Sequence, residues 1–539
     1  MELAAEGTSP TAAAPDGAAE SRRITGWLAR CSERQVVCAV TALAALIRLY
    51  LVATSYCIAA DGVAYLAMAR EFAAGRARDA LAWVFSPLYP WLVAQVHWAI
   101  SNWELAGELL SVALGSAGVA LLYYLMREAF GRRAVAAVAA TLAAIHPMLA
   151  AFSASARTEA GYVALVTAAL ALTMRAGRRQ SLELAAAAGA LCGLAYLYRT
   201  EGVGVPAAAA VMLVAGALVW RQWALRWGIG AAAILVAVFV LVASPYLLWL
   251  RQYTGHWTVG REVGVVTMEA TGSTKGELER WRHLGYRREN SWLSAVRMDP
   301  GAYLRKVGRD FVGSCYAFVQ ATDPLLFAAL LVGLWAGGRA LLVRWEEATL
   351  ALIVAMYFIG FVLTDTGPRL MSHVVPFVFG WIAIGLEVAA GRLDAHLRRA
   401  RRPILRRVGG DVIVATVVAL VLLPRTLFPL GYDQRGLRYA GQELARRGAG
   451  AVTVAGTDVR VAFYAEARFI RLPAYPAGPG GLCGWLAEHR AANYLMIDDR
   501  TERRWGGGGG SPCLSLIKRY PRVGSTWYDL YALREPSSS

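Results

Sequence analysis

Six side chains in this 539-residue chain have types and positions that could act together on a charged substrate: Asp61, Glu159, Arg199, Glu201, Arg369 and His373. Asp61 stands in Ala59-Ala60-Asp61-Gly62-Val63-Ala64-Tyr65-Leu66, directly after the first long apolar segment. A carboxylate at the mouth of a lipid-lined cavity suits a general base or a metal-assisting group. Asp before Gly62 also suits a helix N-cap. Ala64 is not the Glu or Gln that would complete a capping box. Both readings of Asp61 stand at this level.

Glu159 lies in Ser153-Ala154-Ser155-Ala156-Arg157-Thr158-Glu159, at the start of an apolar segment. An acid in the first turn of a helix is favoured by the macrodipole, and an acid near membrane depth is costly and often functional. Together, Asp61 and Glu159 could share an acceptor proton, an acceptor amine or a divalent cation. Arg199 and Glu201 form either a surface ion pair of little energetic weight or part of the same site. Arg369, in Asp365-Thr366-Gly367-Pro368-Arg369, offers a planar, always-charged guanidinium suited to phosphate. His373 falls one turn later, where a packing residue is the commoner outcome.

These residues need a frame, and composition supplies it. The chain is 57% hydrophobic and 17% charged, with a mean hydropathy of +0.42. Soluble domains carry roughly 25% charged residues. Apolar runs of roughly 20 residues recur, the length that crosses a bilayer as helix. We read spans near 36–56, 104–126, 134–150, 158–175, 182–198, 203–220, 227–250, 323–343, 347–364, 370–390 and 411–429, about eleven in all. The net charge of +17 would suggest nucleic acid in a soluble protein. Here the basic residues cluster in alternate short loops: Arg127, Arg132 and Arg133; Arg175, Arg178 and Arg179; Arg221 and Arg226; Arg339 and Arg344; Arg392 to Arg407. That is the positive-inside pattern. It predicts a cytoplasmic N-terminus, an outer C-terminus, and no nucleic-acid partner. The first apolar run reads as a retained anchor rather than a cleaved signal. The seven cysteines show no metal-binding spacing.

The expected organisation is therefore a disordered cytoplasmic stretch 1–34, a transmembrane module 35–429 and an outer domain 430–539. The first outer loop, 57–103, carries Tyr65, Met68, Ala69 and Phe72 at helical spacing, then Trp83, Tyr89, Trp91 and Trp98. Pro87 and Pro90 are expected to break it into two short interfacial helices. The large outer loop, 251–322, is polar and basic through Arg251, Arg261, Lys275, Arg280, Arg282, Arg287 and Arg288. A solvated surface or a binding face for an anionic headgroup or diphosphate would account for it. The tail reads as a small α/β domain, with strands at 451–455, 494–498 and 527–533, helices at 439–447 and 484–489, and a flexible loop at 506–510. Cys483 and Cys513 either pair or remain thiols. No phosphate-binding Gly loop, HExxH or GxSxG stands in usable context.

Taken together, these motifs resemble the GT-C glycosyltransferases. The resemblance rests on Asp61-Gly62-Val63-Ala64-Tyr65, Ser86-Pro87-Leu88-Tyr89-Pro90, Glu104–Gly107, Phe130-Gly131-Arg132-Arg133, His146-Pro147, Thr158-Glu159-Ala160, Tyr198-Arg199-Thr200-Glu201-Gly202 and Gly367-Pro368-Arg369-Leu370. Within that superfamily the chain looks most like the protein O-mannosyltransferases of family 39 and the lipid A aminoarabinose transferase. The high Ala, Arg and Gly content suggests a GC-rich bacterial genome and hence a bacterial inner membrane. The resemblance implies an enzyme that takes a sugar from a polyprenyl-phosphate donor and passes it, with inversion, to a lipid, glycan or protein acceptor. It implies Asp61 as base, Glu159 assisting, Arg199 and Arg369 on the donor phosphate, and Tyr65, Tyr89, Glu201 and His373 among the substrate contacts. It implies a monomer among membrane lipids. Several relatives carry two adjacent acids in the first outer loop. Here Ala60 precedes Asp61, which argues against a two-acid metal site there. The rival expectation is a transporter or flippase of lipid-linked or other anionic substrates. No inverted repeat or pair of broken midmembrane helices supports it.

Overall fold

The computed structural model describes residues 30–261, 296–297, 299–338, 340–399, 409–448, 452–472, 481–489, 492–505, 512–522 and 526–534. The predicted disordered stretch lies outside these up to residue 29. At its other end the boundary moves. Ser32 closes a capping box with Gln35, so residues 33 and 34 already belong to helix Glu33–Ala53.

The module is a bundle of apolar helices. Seven described helices are long and apolar enough to cross a membrane, or nine if each of two bent pairs counts as one span. That is fewer than the eleven expected. A helix occupies each expected segment; helices Leu182–Tyr198 and Gly410–Thr426 have 17 residues each, at the lower end of the roughly 17–25 residues that cross a bilayer. The bundle turns large apolar side chains outward, among them Leu46, Leu241, Trp335 and Leu420. Such a surface is costly in water and costs nothing in hydrocarbon.

The two bends have local causes. Helix Arg133–Ile145 stops at His146, and Pro147 opens helix Pro147–Ser153 at 62° to it. Proline has no N–H, so carbonyls near the break lose a helical partner. Arg48, deep in helix Glu33–Ala53, supplies one. Its guanidinium donates to Ala144 O at 3.2 Å and Ala143 O at 3.3 Å, and to Ala44 O at 3.0 Å. Sequence reading passed over Arg48 because one charge hardly alters the mean hydropathy of a span.

The second bend corrects the large outer loop. Its last part is not loop but helix Pro300–Thr322, which meets helix Pro324–Gly337 at 101°. Asp323 makes the corner, with a positive φ of 76°, and its side chain accepts the Leu325 N–H. Helix Pro300–Thr322 was hidden because it is amphipathic rather than apolar. It buries a Lys306–Asp310 pair at 3.0 Å and turns Leu304, Val312 and Tyr316 outward. Lys275, Arg280, Arg282, Arg287 and Arg288 lie outside the described residues.

In the first loop, helices Ala60–Ala73, Ala77–Leu81 and Leu88–His97 replace the two expected. Pro90 does not break the last of them. It sits in the first turn, where its missing N–H had no partner to lose.

The tail forms the expected α/β domain around a five-stranded sheet: β1 (Thr453–Gly456), β2 (Arg468–Arg471), β3 (Tyr494–Asp498), β4 (Leu514–Pro521) and β5 (Trp527–Leu533), in the order β2-β1-β3-β5-β4. β1 runs parallel to β2 and β3; β5 is antiparallel to β3 and β4. β2 and β4 escaped sequence reading because they are edge strands bearing Arg468, Arg471, Lys518 and Arg519 rather than buried runs. Cys483 and Cys513 are disulfide-bonded. The predicted loop 506–510 lies outside the described residues.

Replacing Arg48 by Met should lower the thermal unfolding midpoint of the detergent-solubilised protein. Orphaned buried carbonyls cost about 1–3 kcal/mol each. An unchanged midpoint would show that Arg48 is not what satisfies the break.

Candidate active site

Four chain segments bring their charged side chains to one end of the bundle. Asp61 lies inside the first turn of helix Ala60–Ala73, whose N-cap is Ala59 and has no side-chain cap. The N-cap reading of Asp61 is therefore set aside: the carboxylate faces another segment. Gly62 permits this placement. A Cβ there would lie 2.9 Å from Ala156 O, so the helix rests directly on the backbone leading to Arg157, Thr158 and Glu159.

Glu159 opens helix Glu159–Arg179 and is 2% exposed. A buried carboxylate needs compensation, and three guanidinium groups provide it. Arg369 Nε donates to Glu159 Oε1 at 2.5 Å, and Nη1 of both Arg157 and Arg199 lies 3.9 Å from the same oxygen. Arg369 also donates through Nη1 to Asp61 Oδ2. The cation that Asp61 and Glu159 share is thus a guanidinium. Among the described residues no three His, Cys, Asp or Glu side chains gather as a metal site would require.

Arg199 stands in extended backbone between helix Leu182–Tyr198 and the 3-10 turn Thr200–Val203. It donates to Thr158 Oγ1 at 2.8 Å and to Glu201 Oε1 at 2.7 Å. With 10% of the Arg199 side chain exposed, this is a buried pair rather than the surface pair considered above. Burial works against the charged form at both Arg199 and Arg369, yet the neighbouring carboxylates outweigh it and hold both pKa values above the ordinary arginine value. The cluster therefore sets three carboxylates against three guanidinium groups.

The two principal acids differ in access. The Asp61 side chain is 33% exposed and the Glu159 side chain 2%. Asp61 can meet an incoming molecule; Glu159 cannot without rearrangement.

The remaining expected contacts lie deeper. Tyr65 is buried, its hydroxyl 3.5 Å from Thr158 Oγ1 and its ring against Phe85 and Tyr89. Tyr89 belongs to this packing layer, not to an interfacial belt: it is fully buried and its hydroxyl donates to Gly107 O at 3.0 Å. His373 is enclosed by Tyr162, Tyr357 and Phe361, 1% exposed, in keeping with a packing role. Arg261 is buried too, and donates to Ala82 O at 2.8 Å, so it joins the large loop to the first loop instead of facing solvent.

Arg157 is the residue sequence reading missed. Its guanidinium lies over Phe152, with the 3.9 Å approach to Glu159 as its ion pair, and no side-chain hydrogen bond commits it among the described residues. The signal was present: Arg157, like Arg369, is an arginine on the predicted outer side.

Residues 85–249 match the family described as dolichyl-phosphate-mannose-protein mannosyltransferase. No curated protein sequence matches the chain. Among the solved structures that share its architecture are the following three. The archaeal oligosaccharyltransferase AglB from Archaeoglobus fulgidus, in complex with an inhibitory peptide and a dolichol-phosphate, is 13% identical with a TM-score of 0.58, over 93% of this chain and 74% of that one. The Archaeoglobus fulgidus oligosaccharyltransferase in complex with Zn and sulfate is 15% identical with a TM-score of 0.55, over 91% and 72%. ArnT from Cupriavidus metallidurans bound to undecaprenyl phosphate is 15% identical with a TM-score of 0.55, over 94% and 98%. The expected GT-C fold is borne out.

Glu159→Gln should destabilise the solubilised protein by about 3–5 kcal/mol, the scale of breaking a buried ion pair. Asp61→Asn, at a half-exposed pair, should cost about 1 kcal/mol or less. Equal losses in thermal midpoint would contradict the division between a buried anchor and an accessible acid.

Proposed function

We propose that this chain, which carries the GT-C fold, is an integral-membrane glycosyltransferase moving a sugar from a polyprenyl-phosphate donor to an acceptor on the outer face of the membrane. The observation that carries the reading is the Asp61–Arg369–Glu159 network, with an accessible carboxylate and guanidinium groups side by side at helix ends. Two of the structurally similar proteins were solved with polyprenyl phosphates, dolichol-phosphate in one and undecaprenyl phosphate in the other. The family match at 85–249 points to the same donor class.

The chemistry divides among the residues as follows. Asp61 accepts the proton of an acceptor hydroxyl or amine. The acceptor oxygen or nitrogen bonds to the anomeric carbon as the bond from that carbon to the phosphate oxygen breaks, in line and with inversion. The leaving phosphate takes the electron pair and needs positive charge. Arg157, whose side chain makes no hydrogen bond among the described residues, meets it first; Arg199 and Arg369 share their charge with it. Glu159 anchors all three guanidinium groups. Tyr65, Tyr89, Glu201 and His373 support the site from beneath. Two carboxylates with a guanidinium already between them do not fit a divalent cation, and no step is assigned to one. Phosphate departure supplies the driving force, so no nucleotide sugar is required.

The same reading places residues 35–429 as the catalytic membrane module, with the N-terminus cytoplasmic and the domain 430–539 on the periplasmic side of a bacterial inner membrane. It treats the enzyme as a monomer.

Membranes holding wild type or Asp61→Asn, at equal expression, should be given radiolabelled polyprenyl-phosphate sugars and followed for loss of label from the lipid. Loss should fall about 10²–10⁴-fold in the variant, the usual contribution of a general base. Equal loss in both would remove Asp61 from this role. Substrate flux across vesicles without label loss would favour a transporter. Arg157→Met should raise the donor KM more than tenfold, roughly the 1.5–3 kcal/mol of a charged hydrogen bond; an unchanged KM would take the phosphate away from Arg157.

A further inference from the structure

The residues just before Asp61 are held by the C-terminal domain. Tyr464 lies in helix Arg460–Ala465. Its hydroxyl accepts the Ile58 N–H at 2.7 Å and donates to Glu104 Oε1 at 2.8 Å. Ile58 precedes the helix that bears Asp61, and Glu104 stands in the first turn of helix Trp103–Phe130. One phenolic oxygen thus joins the first loop, the bundle and the tail domain.

Independent contacts grip the same segment. The Tyr56 N–H donates to Leu430 O at 2.8 Å, and the Tyr56 ring meets Tyr432 edge-on at 5.4 Å. Gly431 has a φ of +66°, and a Cβ there would fall 2.8 Å from Cys57 N, so glycine alone admits this approach. The Cys57 side chain packs into the tail domain's own core with Leu437, Val461 and Leu530. Arg70, on the Asp61 helix, lays its guanidinium over Phe463 at 5.6 Å and Trp103 at 5.7 Å.

We infer that the C-terminal domain clamps the start of the Asp61 helix through Tyr464, which makes Tyr464 a positioning residue for the Asp61 carboxylate. The clamp stands on these contacts alone; its effect on rate rests on the transferase reading above. The domain is then part of the catalytic unit and not only a platform for the acceptor. Misplacing a catalytic group by about 1 Å can cost roughly 100-fold in rate, and Asp61 lies three residues beyond the clamped amide.

Tyr464→Phe in the full-length chain tests this. It keeps the ring that packs on Phe463 and lies under Arg438, and removes only the hydroxyl. Deuterium exchange should rise about tenfold at residues 56–62, the scale of one lost hydrogen bond to a charged group, with β1 and β3 still protected. In the polyprenyl-phosphate sugar assay kcat should fall about tenfold, with the donor KM changed by less than about twofold. Unchanged exchange at 56–62 would overturn the clamp. Lost protection throughout β1 and β3 would show a folding role and overturn it equally. Faster local exchange with an unchanged kcat would overturn the positioning role. A wild type without transfer activity whose exchange still responds would refute the transferase reading and leave the clamp in place.

Discussion

A carboxylate that is 2% exposed at the end of an apolar bundle is a constraint on everything around it. Glu159 cannot keep its charge there unless positive groups come close. They come from the turn that leads into its own helix (Arg157), from the turn between two helices (Arg199) and from the turn before helix Val375–Arg399 (Arg369). Two of these arginines then find further acceptors: Arg199 in Thr158 and Glu201, and Arg369 in Asp61. The network thereby dictates how closely these turns approach one another. A bundle packed otherwise would leave charges buried and unpaired.

The cluster sits at helix ends for a physical reason. Along the middle of a membrane helix every backbone group is satisfied internally and the side chains meet lipid. At the ends, unpaired backbone groups, water and polar side chains coexist, and charge is affordable there. Arg48 is an exception within a span, and it too answers a chain break, at His146-Pro147. Positioning at helix ends also divides the two acids. Glu159 belongs to the packed start of a long helix, whereas Asp61 belongs to a loop helix that is partly open and reachable.

That openness has a cost in order, which the tail domain offsets. The Asp61 helix has backbone contact with Ala156 on one side through Gly62, and with the tail domain on the other through Ile58, Cys57 and Tyr56. A short interfacial helix alone would be marginal in water. Held between bundle and domain, it can present a carboxylate at a defined place.

The amino-acid sequence by itself determined the membrane class, the helix at each apolar segment, the α/β tail and the identity of the principal charged residues. Hydropathy and periodicity are local sums, and Asp61, Glu159, Arg199 and Arg369 stand out from them at helix ends. The sequence leaves the number of full spans less legible, since an apolar run of 17 residues looks much like one of 20 until its helix has ends. It missed helix Pro300–Thr322 and strands β2 and β4, whose buried sides are narrow and whose charges dominate their composition. Which charges pair was beyond it. Arg369 reaches Glu159 across 210 residues and Asp61 across 308, Tyr464 reaches Ile58 across 406, and of the three guanidinium groups around Glu159, Arg157 makes no side-chain hydrogen bond among the described residues. Those facts depend on packing between distant segments, where the energy of a charge is set by what surrounds it in space and not by its neighbours along the chain.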